Sequence, residues 1–249
     1  AHAEADSAPV TTPLTRYEAL LTSGEIHQDS EQIKAIQALD KLQQSLLRQD
    51  SRSWRHPFRA PAAPRGLYLW GGVGRGKTWM MDLFYETLPF DNKLRIHFHR
   101  FMARIHDGLR EHKAQTDPLA DIARQWARDF RVLCLDEFYV SDIADAMLLS
   151  GLLQGLFTGG VTLVTTSNVA PDRLYWDGLQ RARFLPAIAL LQSKLDILHV
   201  GGQQDYRLGK LERSELYAYP LDATTDPQME KNFERIGGGG TVPQYIPIH

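Results

Sequence analysis

Short apolar segments recur along residues 66–200 and are separated by longer amphipathic segments. Most of the short segments are almost continuously apolar, which is typical of strands that are buried on both faces. The predicted strands cover residues 66–70, 93–98, 131–136, 161–166 and 195–200. Because strands that alternate with helices form parallel sheets, the pattern predicts an α/β fold with a five-stranded parallel sheet and helices on both faces.

Between these strands, apolar residues recur at the spacing of amphipathic helices. The predicted helices cover residues 79–86, 101–111, 118–130 and 143–156, and a last helical region is interrupted around Gly178 and ends at Lys194. Asp117 and Ser141 are the expected N-caps of two of them. Residues 30–48 carry the same periodicity behind a capping-box pattern at Asp29 and Gln32, which predicts one further helix.

These patterns divide the chain into four parts. Residues 1–50 form an N-terminal arm with the amphipathic helix, and the first 15 or so are polar and expected to be mobile. Residues 51–65 are a linker rich in proline and arginine, whose arginines are either solvated or available to a partner or nucleic acid. Residues 66–200 are the α/β core, and residues 201–249 are the start of a C-terminal region.

Residues 71–78 read GGVGRGKT and fit the pattern G-x-x-x-x-G-K-[ST], with a predicted strand before them and a predicted helix after them. Glycines let backbone N–H groups curl around phosphate oxygens, and the start of the helix adds its positive dipole end. Lys77 is expected to reach the β- and γ-phosphates and the Thr78 hydroxyl to bind Mg²⁺. The residues expected to bind the nucleotide are Gly71, Gly72, Val73, Gly74, Arg75, Gly76, Lys77 and Thr78. The alternative is a glycine-rich turn that happens to precede Lys-Thr.

Two acids stand at the end of the apolar strand at residues 131–136: Asp136 is its last residue and Glu137 follows it. In open α/β sheets, ligands bind at the carboxyl ends of the strands, so both side chains are expected beside residues 71–78, the predicted phosphate loop. Asp136 suits the carboxylate that holds Mg²⁺, and Glu137 suits the base that orients and polarises the attacking water. The alternative is a pair of solvated acids at the end of a strand.

Polar residues at two further positions are candidates for contact with the γ-phosphate. Asn168 follows the strand at residues 161–166 and is expected to hold the phosphate or the attacking water, unless it only forms a turn before Pro171. A polar tip on a strand between the acidic strand and the phosphate loop is characteristic of NTPases with an extra central strand, AAA+ proteins among them. Arg181 or Arg183 is expected to reach the γ-phosphate of a neighbouring subunit, the alternative being a surface ion pair with an acid such as Asp177.

His97 and His99 close the second predicted strand and would share one of its faces. A metal site is not favoured, because no third ligand is evident in the sequence. A structural role is the default for these histidines. The functional alternative is a hydrogen bond to Glu137 that keeps this acid inactive until a partner binds.

The composition of the chain argues against several classes of protein. The chain has 249 residues with 43% hydrophobic and 23% charged residues, which is ordinary for a globular protein. Its formal net charge of −2 argues against non-specific coating of nucleic acid, and its apolar runs are too short to span a bilayer. The single cysteine, Cys134, allows no intrachain disulfide and suits the reducing cytoplasm. The first residues lack the layout of a secretory signal and are expected to be a disordered arm.

Several motifs together resemble the ZapE family of AAA+-type P-loop ATPases, over about residues 14–215. The segments that carry the resemblance are residues 69–78, 81–85, 97–102, 135–138, 142–147, 166–168 and 178–186, and residues 17–21 and 205–208 are also similar. The resemblance implies hydrolysis of ATP with Mg²⁺. It also implies, for bacterial members, a role in cell division on polymers of the tubulin-like protein FtsZ, and its mitochondrial relatives are associated with inner-membrane protein quality control. Members of the family continue into an α-rich C-terminal part, so we expect that part to be truncated here.

The main hypothesis is an ATPase that remodels a protein partner in the cytoplasm, with self-association and peripheral attachment at the inner membrane or division site left open. One alternative is a nucleotide-gated binding module with little turnover. Another is a DNA-associated AAA+ loader, for which residues 52–65 offer the one basic candidate surface. The overall charge makes nucleic acid the less favoured partner.

Overall fold

The computed structural model of the chain describes residues 11–53, 63–112 and 116–201. The first ten residues, most of the predicted linker and nearly all of the predicted C-terminal region therefore lie outside the described residues, as does the motif at residues 205–208. Within the described ranges, no helix is both long enough and apolar enough to cross a membrane.

Five parallel strands form one sheet in the order β2-β3-β4-β1-β5. The strands are β1 Gly66–Trp70, β2 Lys93–His97, β3 Val132–Asp136, β4 Thr162–Ser167 and β5 Leu195–His199. This order confirms the predicted parallel sheet. It also inserts β4 between β3, which ends in the predicted metal carboxylate, and β1, which leads into the phosphate loop.

Seven α-helices surround the sheet within the described residues. They are α1 Pro13–Thr22, α2 Ser30–Ser53, α3 Lys77–Thr87, α4 Phe98–Glu111, α5 Pro118–Asp129, α6 Ile143–Thr158 and α7 Leu185–Lys194. Two short 3-10 turns, Pro171–Arg173 and Arg181–Arg183, lie between β4 and α7, where the sequence predicted an interrupted helical region.

Alternate residues of the central strands belong to two separate hydrophobic cores. In β3, Val132 and Cys134 are buried in a core with α1, α2 and α3, whereas Leu133 and Leu135 are buried in a core with α4, α5, α6 and α7. Because successive side chains of a strand point to opposite faces, the two cores lie on opposite sides of the sheet. The predicted covering of both faces by helices is confirmed.

Helix α1 was not predicted, and its first three residues overlap the stretch, up to about residue 15, that the sequence predicted to be mobile. Thr12 and Thr15 form a reciprocal capping box at its start, in which each side chain accepts a hydrogen bond from the other's backbone N–H, and Pro13 occupies the first turn. Tyr17 is fully buried against the rest of its core. The helix was not predicted because it is only ten residues long, although Leu14, Tyr17 and Leu20 recur at helical spacing. The rest of the predicted arm, residues 1–10, lies outside the described residues.

The boundary between β2 and α4 also differs from the prediction. The strand ends at His97 and the helix begins at Phe98, three residues earlier than expected, so His97 and His99 do not share a strand face. Burial of Phe98, Phe101 and Met102 at helical spacing explains the early start. In α6 the cap is also one residue away from the expected position, because Asp142 rather than Ser141 accepts the bonds from the first-turn N–H groups.

Candidate nucleotide-binding site

The loop between β1 and α3 depends on glycine at several positions. Gly74 and Gly76 have φ values of 79° and 80°, in the left-handed region that other residues rarely adopt. At Gly71, a Cβ atom would lie 2.2 Å from the carbonyl oxygen of Val200, far closer than any real contact. At Gly76, it would lie 3.0 Å from Nε2 of Gln32. The backbone path itself therefore requires glycine at positions 71, 74 and 76 of the motif.

Lys77, the first residue of α3, is buried and folded back over the loop. Its Nζ donates hydrogen bonds of 2.7 Å to the carbonyl oxygens of both Gly71 and Gly72. Burial, followed by the positive charge of Arg75, lowers the pKa of Lys77. Within the described part of the chain no carboxylate forms an ion pair with this ammonium, so an anion bound in the loop would relieve the cost of its burial.

The start of α3 also has the character of an anion site. Gly76 stands at the N-cap position and, lacking a side chain, makes no capping hydrogen bond. The first N–H groups of a helix have no intrahelical acceptor and carry partial positive charge. With the ammonium of Lys77 beside them, they form a donor set that matches the oxygens of a phosphate chain.

Asp136, the last residue of β3, is only 4% exposed and is held by Arg95 of β2. Nε of Arg95 donates to Oδ2 of Asp136 at 2.6 Å, and Nη2 lies 3.4 Å from Oδ1. Nη2 of the same guanidinium also donates to the carbonyl oxygen of Thr78 at 3.4 Å. One side chain thus joins the two predicted metal ligands, whose hydroxyl and carboxylate oxygens are of the kind that Mg²⁺ prefers.

Arg95 was not among the site residues predicted from the sequence. The available signal was a charged residue in the middle of a predicted strand, which is unusual for a sheet covered on both faces. Arg95 lies opposite Cys134 in the β2–β3 register, and this places its guanidinium within reach of the end of β3. A second carboxylate, that of Asp82 in α3, contacts Nη1 of Arg95.

Glu137 lies immediately after β3 in a strained backbone conformation. Its φ of 56° is in the left-handed region, and its side chain is 70% exposed. Its backbone N–H donates to Oγ1 of Thr166 at 3.1 Å, and the N–H of Phe138 donates to the Thr166 carbonyl at 2.7 Å. Nδ1 of His97 lies 3.8 Å from Oε2 of Glu137, so the histidine is beside the acid but too distant for the hydrogen bond that the sequence suggested.

Asn168 follows the last residue of β4 and is exposed. The backbone N–H of Gly71 donates to the carbonyl of Ser167 at 3.2 Å, and Oγ of Ser167 donates to the carbonyl of Phe138 at 2.8 Å. The tip of β4 therefore joins the start of the phosphate loop to the segment that follows β3. This is the neighbourhood that the sequence predicted for Asn168.

Arg181 and Arg183 lie in one 3-10 turn but have different surroundings. Arg181 donates from Nη2 to the carbonyl of Asp172 at 2.7 Å, and its guanidinium stacks over Trp176, 4.9 Å from the ring centroid. Arg183 is exposed and donates from Nη1 to Oε1 of the exposed Gln180 at 3.1 Å. The described residues include no ion pair between either arginine and Asp177.

Sequence comparison with known proteins identifies the family of the chain. Residues 11–245 match the AFG1-like ATPase family. The chain belongs to the AFG1-like ATPase family. It is 45% identical over 242 residues to the cell division protein ZapE of Escherichia coli K12, a match that covers 92% of this chain and 64% of that protein. It is 36% identical over 188 residues to lactation elevated protein 1 homolog B of Danio rerio, covering 71% of this chain and 37% of that protein.

These matches confirm the resemblance to ZapE that the motifs indicated, and they show that this AFG1-like chain spans less than two thirds of the length of either relative. Among solved structures, it superposes on the replication initiator DnaA bound to AMPPCP and single-stranded DNA with a TM-score of 0.53 at 11% identity, covering 87% of this chain and 65% of that one. Domain III of DnaA from Thermotoga maritima gives 0.51 at 15% identity, covering 86% and 73%. At such identities the likeness shows the fold alone, and that fold is the predicted AAA+ type of P-loop NTPase.

Proposed function

We propose that this AFG1-like chain binds ATP with Mg²⁺ and hydrolyses it to ADP and phosphate. The observation that carries the proposal is the buried ammonium of Lys77, which lies over the loop carbonyls with no carboxylate partner among the described residues. A cation held in this way beside the uncapped start of α3 is a receptor for an anion. Membership of the AFG1-like ATPase family supports ATP as the source of that anion.

Each of the predicted site residues has a role in this proposal. Lys77 donates to the phosphate oxygens, together with the N–H groups of the loop. Thr78 and Asp136 would hold Mg²⁺, which neutralises charge on the phosphates when it is bound. Glu137 orients the attacking water and accepts its proton, and its exposed side chain leaves it accessible to that water. Asn168 donates a hydrogen bond to the γ-phosphate or to the water.

We assign the arginine that completes a neighbouring site to Arg183 rather than Arg181. The guanidinium of Arg181 is engaged within its own segment by Trp176 and the Asp172 carbonyl. Arg183 is exposed and interacts with an exposed glutamine, so it can leave that contact at little cost. A guanidinium supplied by another subunit would stabilise the charge that develops in phosphoryl transfer, which makes self-association part of the proposal.

Hydrolysis is proposed to drive changes in a protein partner during cell division. The identity to the cell division protein ZapE supports this role. FtsZ polymers are the candidate partner that the family resemblance implies. Such a role would place the chain in the cytoplasm or at the periphery of the inner membrane at the division site. Sedimentation of FtsZ polymers with and without the chain and ATP tests whether FtsZ is the partner. If the amount of sedimented polymer is unchanged by the chain, FtsZ is excluded as the partner.

Steady-state ATP hydrolysis, measured across a range of protein concentrations, tests the enzymatic proposal. We expect turnover per chain to rise with concentration, to be lost in Lys77→Ala, and to be lost in Arg183→Ala but retained in Arg181→Ala. Glu137→Gln should bind nucleotide and fail to hydrolyse it. Equal turnover by the native chain and Lys77→Ala would refute the proposal. Binding without turnover in the native chain would favour the nucleotide-gated binding module.

A further inference from the structure

Arg95 connects three elements around the proposed metal site. Its guanidinium contacts the carboxylate of Asp136 at the end of β3, the carboxylate of Asp82 in α3, and the carbonyl oxygen of Thr78 in the first turn of α3. A planar guanidinium has five donors in a fixed fork, so it can hold two carboxylates at set angles, which a lysine cannot. The guanidinium of Arg95 therefore links β2, β3 and α3 rigidly, and we call this link the brace.

The charges at this brace are unequally buried. The side chain of Asp136 is 5% exposed and that of Arg95 is 18% exposed, whereas that of Asp82 is 44% exposed. A buried carboxylate is costly unless a cation neutralises it. Within the described residues, Arg95 is the cation that forms an ion pair with Asp136. Burial lowers the pKa of Arg95, but its hydrogen bonds to Asp136 and Asp82 outweigh this and raise it, so the guanidinium stays charged.

The two oxygens of Asp136 are held differently. Oδ2 accepts a hydrogen bond of 2.6 Å from Nε of Arg95, whereas Oδ1 lies 3.4 Å from Nη2, at the long end of the hydrogen-bond range. The carboxylate is thus fixed by one oxygen and retains the other as an acceptor. Asp82, on the more exposed side, holds the opposite end of the guanidinium.

We propose that Arg95 is a positioning residue for the metal site: braced by Asp82, it fixes the carboxylate of Asp136 through Oδ2 and leaves Oδ1 to the Mg²⁺ that accompanies the nucleotide. The inference rests on the proposed function, since it concerns the same site. Partners that orient metal ligands in this way are typically worth about 10–100-fold in metal affinity.

The test measures binding rather than turnover. A fluorescent ATP analogue is titrated into the full chain once with Mg²⁺ and once with EDTA, and the ratio of the two affinities is the magnesium gain. We expect Arg95→Gln to lower the magnesium gain by about tenfold or more. Its affinity in EDTA should stay within about twofold of the native value, since Lys77 and the loop still hold the phosphates. Arg110→Gln is the matched control, because Arg110 forms an exposed ion pair with Asp107 on α4.

Asp82→Asn provides a second, exposed variant should Arg95→Gln fold poorly. It should lower the magnesium gain in the same direction by a smaller factor, and it should have no further effect in the Arg95→Gln background, because Asp82 acts through Arg95. Arg95→Lys keeps the charge but loses the fork, so its magnesium gain should remain several-fold below that of the native chain.

Three results would overturn the inference. An equal loss of affinity with Mg²⁺ and with EDTA in Arg95→Gln would show a purely structural role. A larger magnesium gain in Arg95→Gln would show that Arg95 competes with the metal. Additive effects of Asp82→Asn and Arg95→Gln would show that Asp82 does not act through Arg95. Failure of the proposed function looks different: the native chain itself would bind no nucleotide, or bind it no better than Lys77→Ala, and the inference would fall with it.

Discussion

Glu137 combines an exposed side chain with a backbone conformation that suits few residues. Its φ of 56° lies in the left-handed region, whereas its side chain is 70% exposed and loses little packing when it is changed. A residue with a Cβ atom costs about 1–2 kcal/mol in this region, and asparagine tolerates it better because its short polar side chain bonds locally. We therefore predict that Glu137→Asn stabilises the chain while it abolishes ATP hydrolysis.

The size of the gain follows from the strain that asparagine relieves. If about half of the penalty is removed, the unfolding free energy rises by about 0.5–1 kcal/mol. For a chain of 249 residues, 1 kcal/mol corresponds to about 2–4 °C in melting temperature, so we expect a rise of about 1–4 °C. The backbone hydrogen bond to Thr166 is unaffected by the substitution.

Thermal unfolding followed by circular dichroism, with and without nucleotide, measures this shift, and ATP turnover is measured on the same samples. Glu25→Asn is the control, since Glu25 is also exposed but does not have a positive φ, and it should give no gain. An unchanged or lower melting temperature for Glu137→Asn would refute the argument from strain. A higher melting temperature with full turnover would refute the role of Glu137 as the base.

Three further predictions concern the loop and the caps. Gly71→Ala should lower the unfolding free energy by about 1–3 kcal/mol in chemical denaturation, because its Cβ would lie 2.2 Å from the carbonyl oxygen of Val200; unchanged stability would contradict this backbone path. Lys77→Met should stabilise the nucleotide-free chain at pH 7. The folded-state pKa of Lys77 is lowered, so above that pKa the unfolded chain binds more protons than the folded chain. The native chain therefore gains stability as the pH rises toward 10.5, and the stability advantage of Lys77→Met should shrink. A stability advantage that does not vary with pH would argue against burial of the charge. Asp142→Ala should cost about 1 kcal/mol of unfolding free energy, because the Asp142 carboxylate caps α6 through the N–H of Ala144 at 2.6 Å, and no loss would mean that the cap is dispensable.

The parts of the site that the sequence predicted are those whose position follows from neighbouring residues or from the end of a strand. A strand, a glycine loop and a helix follow one another directly at residues 66–87, so their geometry is contained in one continuous segment. Asp136 and Asn168 are each the end of a strand or the residue after it, and parallel strands present such residues at one edge of the sheet. Local pattern and a general rule of sheet topology were sufficient for these positions.

The contacts of Arg95 could not be predicted in this way, because they depend on the register between segments that are distant in sequence. Arg95 is 41 residues from Asp136 and 13 from Asp82, and it meets them because β2 pairs with β3 and α3 packs nearby. A shift of one residue in β2 would turn its guanidinium to the opposite face of the sheet. The sequence indicates the charged residue, but only the register gives it partners.

Strand β2 places side chains beside both Asp136 and Glu137, the acids at the end of β3. Arg95 and His97 are two residues apart, so they share a face of β2, and Arg95 holds Asp136 while His97 lies 3.8 Å from Glu137. The strand lies at one edge of the described sheet and continues without a break into α4. We expect a displacement of α4 to shift both the predicted metal ligand Asp136 and the predicted base Glu137, because Arg95 and His97 lie on one short strand that leads into α4. The opposite edge strand, β5, lies across β1 and β4 from these acids and has no such direct connection to them.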